Sequence, residues 1–140
     1  MPTHPDLMLN SDSTLLRKMR RDGSDSKGRV KKSAFMPRAN GNDRDGLSVS
    51  IKVDFWRALH RSKFVDEKCR ACSISVRSIE QLNSYLENIR LDVILSNDDP
   101  DDPAHALITG IPDRTSGVEA LAAAEFIADK LSKLARLYDF

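Results

Sequence analysis

The sequence predicts an α+β domain: a small mixed or antiparallel sheet of about four strands, helices packed on one of its faces, and a long C-terminal helix. Three observations point there. LSVSIKV (47–53) alternates Leu47, Val49, Ile51 and Val53 with Ser48, Ser50 and Lys52, the pattern of a strand with one buried face. From Val118 to Tyr138 an alanine-rich apolar stripe recurs at helical spacing. Between them, strand-like and helix-like segments follow in mixed order, as in an α+β sandwich.

In chain order, residues 1–13 carry Pro2, Pro5, Asn10 and Ser11 without periodicity and read as a flexible N-terminal tail, leaving 14–140 as a single domain. STLLRKMRRD places Leu15, Leu16 and Met19 on one helical face behind Ser13 or Thr14 as cap, so a short helix is expected. GSDSKG (23–28) is turn chemistry, RVKKSAFMPR a short extended piece ending at Pro37, and ANGNDRDG (39–46) a loop. After the strand at 47–53, Asp54 caps a short helix, FWRALHRSKF, expected to bury Phe55, Leu59 and Trp56.

CSISV (72–76) is the next strand, and Ser78 opens a helix carrying Ile79, Leu82, Leu86 and Ile89 on one side. The continuous apolar run DVILS (92–96) predicts a strand buried on both faces. AHALITG (104–110) follows so soon that an antiparallel hairpin with a long loop is expected. In the last helix Val118, Leu121, Ala122, Ala124, Glu125, Ala128, Leu131, Leu134, Ala135 and Tyr138 form the stripe.

The chain has 140 residues, of which 40% are hydrophobic and 31% charged, as an ordinary globular domain does. No apolar run reaches the ~20 residues of a membrane span. MPTHPDLMLN has neither basic nor apolar signal regions, so a cytoplasmic setting and no membrane partner are expected. Two cysteines three residues apart fit a reducing compartment. The net charge of +1 conceals a division. Residues 14–33 hold eight basic and two acidic side chains, a local +6.

GRVKKSAF, DGLSVSI and DPDDPAHALITGIP together resemble segments of an uncharacterised family of small bacterial proteins with similar RV..SAF, LSV and PxHALIxG stretches in that order. The resemblance covers about residues 15–112 and leaves the C-terminal helix largely uncovered. No activity comes with that family. The resemblance implies only that the basic stretch 28–38 belongs to the folded domain.

Four clusters invite a functional reading. In DDPDDPAH, Asp101 and Asp102 with His105 are the residue types of a metal or acid–base site, but the glycine hinge and distal glutamate of a calcium loop are missing. Aspartate and proline equally make an exposed turn, which is the preferred reading. His105 alone would serve as a base only with an orienting partner; a structural imidazole is the simpler expectation. Cys69 and Cys72 form C-x-x-C, but a structural zinc needs four ligands and a redox pair needs a helix N-terminus, whereas SISV follows here; no cofactor is expected. The sequence also lacks GxxxxGK[ST], GxGxxG and GxSxG.

The fourth cluster is the basic one: Arg17, Lys18, Arg20, Arg21, Lys31 and Lys32. The expectation is a non-enzymatic protein-interaction or regulatory module of a bacterial cytoplasmic system, steered onto another protein by these six side chains. Nucleic-acid binding through 17–32 is the first alternative. A small metal-dependent enzyme around His105 and Asp101 or Asp102 is the second.

Overall fold

The computed structural model describes residues 8–38, 46–96 and 101–140. It is an α+β domain built on one six-stranded sheet in which every pair is antiparallel. The strands are β1 (Thr14–Arg20), β2 (Leu47–Ile51), β3 (Cys69–Ser75), β4 (Asp92–Leu95), β5 (His105–Thr109) and β6 (Arg136–Tyr138), ordered β4-β5-β2-β1-β3-β6. The helices are α1 (Arg57–Phe64), α2 (Val76–Leu82) and α3 (Val118–Leu134). Residues 39–45 of the expected loop and residues 97–100 of the aspartate–proline stretch lie outside the described residues, as do residues 1–7 of the expected tail.

The sheet exceeds the expected four strands because TLLRKMR and RLY are strands rather than helical turns. Leu15, Leu16 and Met19 suit a helix face, yet the segment lies between β2 and β3, where both faces of a strand are covered and adjacent Leu15 and Leu16 are both fully buried. Tertiary pairing overrides the local periodicity there. At the other end α3 stops at Leu134, and Ala135 passes the chain into β6, which pairs with β3. In α3 itself the buried residues include Ala124, Ile127, Ala128 and Leu131, while Val118 is 85% exposed.

The two faces carry separate cores. Leu15, Val49, Ile51, Cys72, Ile74, Ala106 and Ile108 point to one side, where Ile79, Leu82, Ile127, Leu131 and Phe35 cover them. Phe35 comes from a 3-10 turn, Lys32–Phe35, in a segment expected to be extended. Leu16 and Ala71 point to the other side and meet Phe64 of α1, so the helices do not all pack on one face. His60 and Phe64 of α1 are buried, while Leu59 and, just before the helix, Phe55 are exposed, against the expectation for this segment. β4 sits at the sheet edge with Ile94 and Leu95 both 44% exposed, so DVILS is not buried on both faces.

Two local devices hold the β4–β5 hairpin in place. Asn83 donates to Leu91 O at 2.9 Å and accepts from Leu91 N at 2.7 Å, standing in for a backbone partner. Gly110 has φ +98°, and a Cβ there would lie 2.0 Å from the Arg90 carbonyl oxygen, so only glycine fits. α2 starts directly at the end of β3, with the Ser75 side chain capping it by accepting from Ser78 N at 3.1 Å.

Candidate functional site: a basic groove in a split sheet

The β1–β2 ladder ends early. Leu15 pairs with Ile51 and Leu16 with Ser50, and no further pair follows, although β1 continues along β3 to Arg20–Cys69 and β2 along β5 to Leu47–Ile108. The sheet therefore parts between Arg17–Arg20 and Leu47–Val49. Arg17 wedges into the parting. Its Nε donates to Ala34 O at 2.6 Å and its Nη1 to Ser48 O at 2.7 Å, while the guanidinium lies 5.8 Å from the Phe35 ring centroid. Planar forked donors suit two carbonyls at once, which a lysine ammonium does less well.

The parting opens into a groove of about 850 Å³. Six cationic side chains line it (Arg17, Lys18, Arg20, Lys31, Arg38 and Lys63) against one acidic side chain, Asp22, among the described residues. Its walls differ by sheet face. Lys18, Arg20, Ser48 and His105 share the face that carries α1, as the pairing of Leu16 with Ser50 and of Ser50 with His105 requires. Met19, Ala34, Met36 and Val49 form an apolar wall towards the other core. Lys18 lies 3.9 Å from Asp66 and Arg20 3.6 Å from Asp22, both exposed pairs that contribute little and dissociate readily.

Of the six basic residues singled out in the sequence, Arg17, Lys18, Arg20 and Lys31 meet at this groove. Arg21 does not: its Nε and Nη2 donate to Asp66 O at 3.1 and 2.8 Å. Lys32 is exposed at the start of the 3-10 turn and does not line the groove. Two lining cations, Arg38 and Lys63, lie outside the stretch 17–32; nothing in the local sequence marks them, since only the fold brings the end of α1 to β1. Asp66 itself has its carboxyl held below the usual range, chiefly by the Lys68 and Cys69 backbone N–H groups.

His105 stands at the groove with Nε2 3.2 Å from Ser48 Oγ, and among the described residues its buried Nδ1 has no partner. Its ring meets Ser48 rather than an aspartate. Asp102 is 2% exposed and committed inward. Its Oδ2 accepts from Ser50 Oγ and from Lys63 Nζ, and its Oδ1 accepts from Ala104 N at 3.0 Å. That carboxylate ties β2, α1 and the start of β5 together. Asp101 is exposed. Beside this cluster lies buried His60, whose Nε2 accepts from Val53 N at 3.0 Å. Burial pushes its pKa down, against an opposing pull from Asp102.

Cys69 and Cys72 sit in β3 at an odd separation, so their side chains leave opposite faces of the sheet. Cys69 lines the groove, whereas Cys72 is buried in the core, where burial pushes its thiol up to about 11. Among the described residues no three His, Cys, Asp or Glu side chains gather as metal ligands would. No described helix is long and apolar enough to cross a membrane.

Comparison with protein-family models, with curated proteins and with solved structures found no match to this chain.

Proposed function

We propose that this protein is a non-enzymatic binding module that takes an acidic segment of another protein in the groove between β1 and β2. The observation that carries the reading is the charge of that groove: among the described residues, six cations from β1, α1 and the segment around the 3-10 turn converge on one cavity lined by a single carboxylate. Lys63 is already committed to Asp102, but Lys18 and Arg20 are held only by weak exposed pairs to Asp66 and Asp22, so this field is open to an incoming counter-charge. It also steers an anionic partner, raising the association rate most at low salt. A bacterial cytoplasmic setting suits the two free thiols.

Nucleic acid would feel the same field, and it is the alternative class of partner. Single-strand binders add exposed aromatic platforms. Phe64, which lines the groove, and Phe35, which lies in the core under Arg17, are both buried, which favours the acidic protein segment. The metal-dependent alternative has less support, because the Asp102 carboxylate already serves Lys63, Ser50 and the Ala104 amide.

The test is titration with polyglutamate, followed by heteronuclear NMR of the full chain at low and high salt. Amide shifts are expected to cluster at Lys18, Arg20, Lys31 and His105, to weaken steeply with salt, and to vanish in the variant Lys18→Glu/Arg20→Glu. Shifts spread evenly over the surface, or retained in that variant, would refute the proposal.

A further inference from the structure

The outward side of α3 carries a charge pattern of its own. Residues seven apart drift only about 20° around a helix, so Glu119, Phe126 and Lys133 stand along one line. All three are exposed, Phe126 to 46%. The line therefore reads acid, aromatic, base, with the aromatic at its midpoint. Exposed Ala122 stands beside it, as does Lys130, whose ammonium lies 5.3 Å from the Phe126 ring centroid. Lys133 pairs with Asp129 one turn back, Nζ to Oδ2 at 3.0 Å, an exposed pair that an incoming carboxylate displaces readily. Next to this line, α2 and the 3-10 turn Asn83–Tyr85 leave a groove of about 800 Å³ against α3. Leu82, Tyr85, Phe126 and Leu134 supply its apolar lining, and Tyr85 is 77% exposed. Three large exposed apolar side chains, Tyr85, Phe126 and Leu134, thus meet in one place, which marks an interaction surface.

We propose that α3 pairs antiparallel with α3 of a second copy of this chain, across a two-fold axis beside Phe126. Phe126 then lies against Phe126 of the second copy. Because Glu119 and Lys133 are each seven residues from it, each Glu119 faces the other copy's Lys133. The contact is made twice, as a two-fold interface requires. The charge pattern selects this occupant. A parallel pair sets Glu119 against Glu119 and Lys133 against Lys133, and a uniformly acidic or basic helix is repelled by one end of the line. A second α3 laid antiparallel carries the complement of both ends by construction, and its macrodipole opposes that of the first favourably. Each Phe126 ring reaches the other copy's groove beside Tyr85 and Leu134. A helix of 17 residues is about 25 Å long, so the contact is small and the dimer forms and dissociates with concentration. The surface shares no lining residue with the basic groove, so the inference stands whether or not that groove takes an acidic segment.

The test is sedimentation velocity of the full chain at low salt, from about 1 to about 500 μM. The parent is expected to pass from monomer to dimer over that range. Glu119→Lys alone and Lys133→Glu alone each bring like charges together at both contacts, and each should weaken association about tenfold or more. An equimolar mixture of those two variants should restore it, because each supplies the charge the other lacks. Phe126→Glu should stay monomeric throughout. A parent that remains a monomer overturns the proposal and leaves this face to a different partner. A mixture that associates no better than the single variants overturns the antiparallel register, and the proposal with it. A Phe126→Glu variant that dimerises as the parent does overturns it as well.

Discussion

Arg17 on β1 reaches Ser48 on β2 with its side chain, donating from Nη1 to the Ser48 carbonyl oxygen at 2.7 Å just beyond the last backbone pair of those strands. A guanidinium thus occupies a position that a ladder hydrogen bond holds elsewhere in the sheet. With Nε on Ala34 O, it also pins the 3-10 turn that carries Phe35 into the core.

Replacing Arg17 by methionine keeps the aliphatic stem but strips both carbonyls of their charged donor. Hydrogen bonds from a charged group contribute about 1.5–3 kcal/mol each, and partial access to water offsets some of the loss. Arg17→Met is expected to lower unfolding stability by about 2 kcal/mol in urea titration. Arg17→Lys should recover less than half of that, because one ammonium does not span two carbonyls in fork geometry. A lysine variant as stable as the parent would contradict the bidentate role.

The buried ion pair behaves differently from the surface pairs. Lys63→Met leaves the Asp102 carboxylate, 2% exposed, with Ser50 and the Ala104 amide as its partners among the described residues. The expected cost is about 3 kcal/mol, at the low end for breaking a buried pair because Lys63 is itself partly exposed. Combining Lys63→Met with Asp102→Ala should cost clearly less than the sum of the single changes, since the second removes the stranded charge. A double-mutant cycle in urea measures the coupling. Strict additivity would mean the two groups do not act as a pair.

Stability should also fall on mild acidification through His60. Its folded pKa lies below the ordinary value of about 6.5, mainly because burial disfavours the charged ring. Above pH ~6.5 the ring is neutral in both states and accepts from Val53 N without penalty. As pH falls below that value the unfolded chain takes up the proton first, so stability declines until the folded pKa is passed. His60→Gln should flatten this decline between pH 7 and pH 5 in urea midpoints. Asp25 and Asp66, whose folded pKa values are also lowered, act in a separate window: their contributions are present above the ordinary aspartate value and are lost at more acid pH. The same slope in parent and His60→Gln would remove His60 as its source.

The two cysteines should separate chemically. With Cys72 buried and its thiol pushed up to about 11, thiolate is scarce at pH 8 and an alkylating reagent has no access. Native protein treated with iodoacetamide is expected to carry at most one label, on Cys69; unfolded protein should carry two. Mass spectrometry of peptides from each sample decides it. Labelling of Cys72 in the native state would show that β3 opens.

Much of the architecture was legible in one dimension. The alternation in LSVSI, the hairpin of DVIL with HALIT, and the long helix from Val118 each depend on a period that the side chains themselves carry. The basic segment announced the charge of the site, and four of its six singled-out residues reach the groove. The sequence did not reveal β1. Leu15, Leu16 and Met19 satisfy a helical stripe as well as a strand, and only the presence of β2 and β3 on either side makes two adjacent buried leucines possible.

The same physics separates what composition determined from what the fold decided. Net charge and the odd spacing of Cys69 and Cys72 follow from residue order alone; the spacing puts them on opposite faces of whatever strand they enter. The groove itself exists only because the β1–β2 ladder stops after Leu16–Ser50 and the end of α1 brings Lys63 beside it. So does the inward commitment of Asp102, which a string of aspartates and prolines does not distinguish from an exposed turn. Register and the meeting of distant segments are set by packing over the whole chain, and no local period records them.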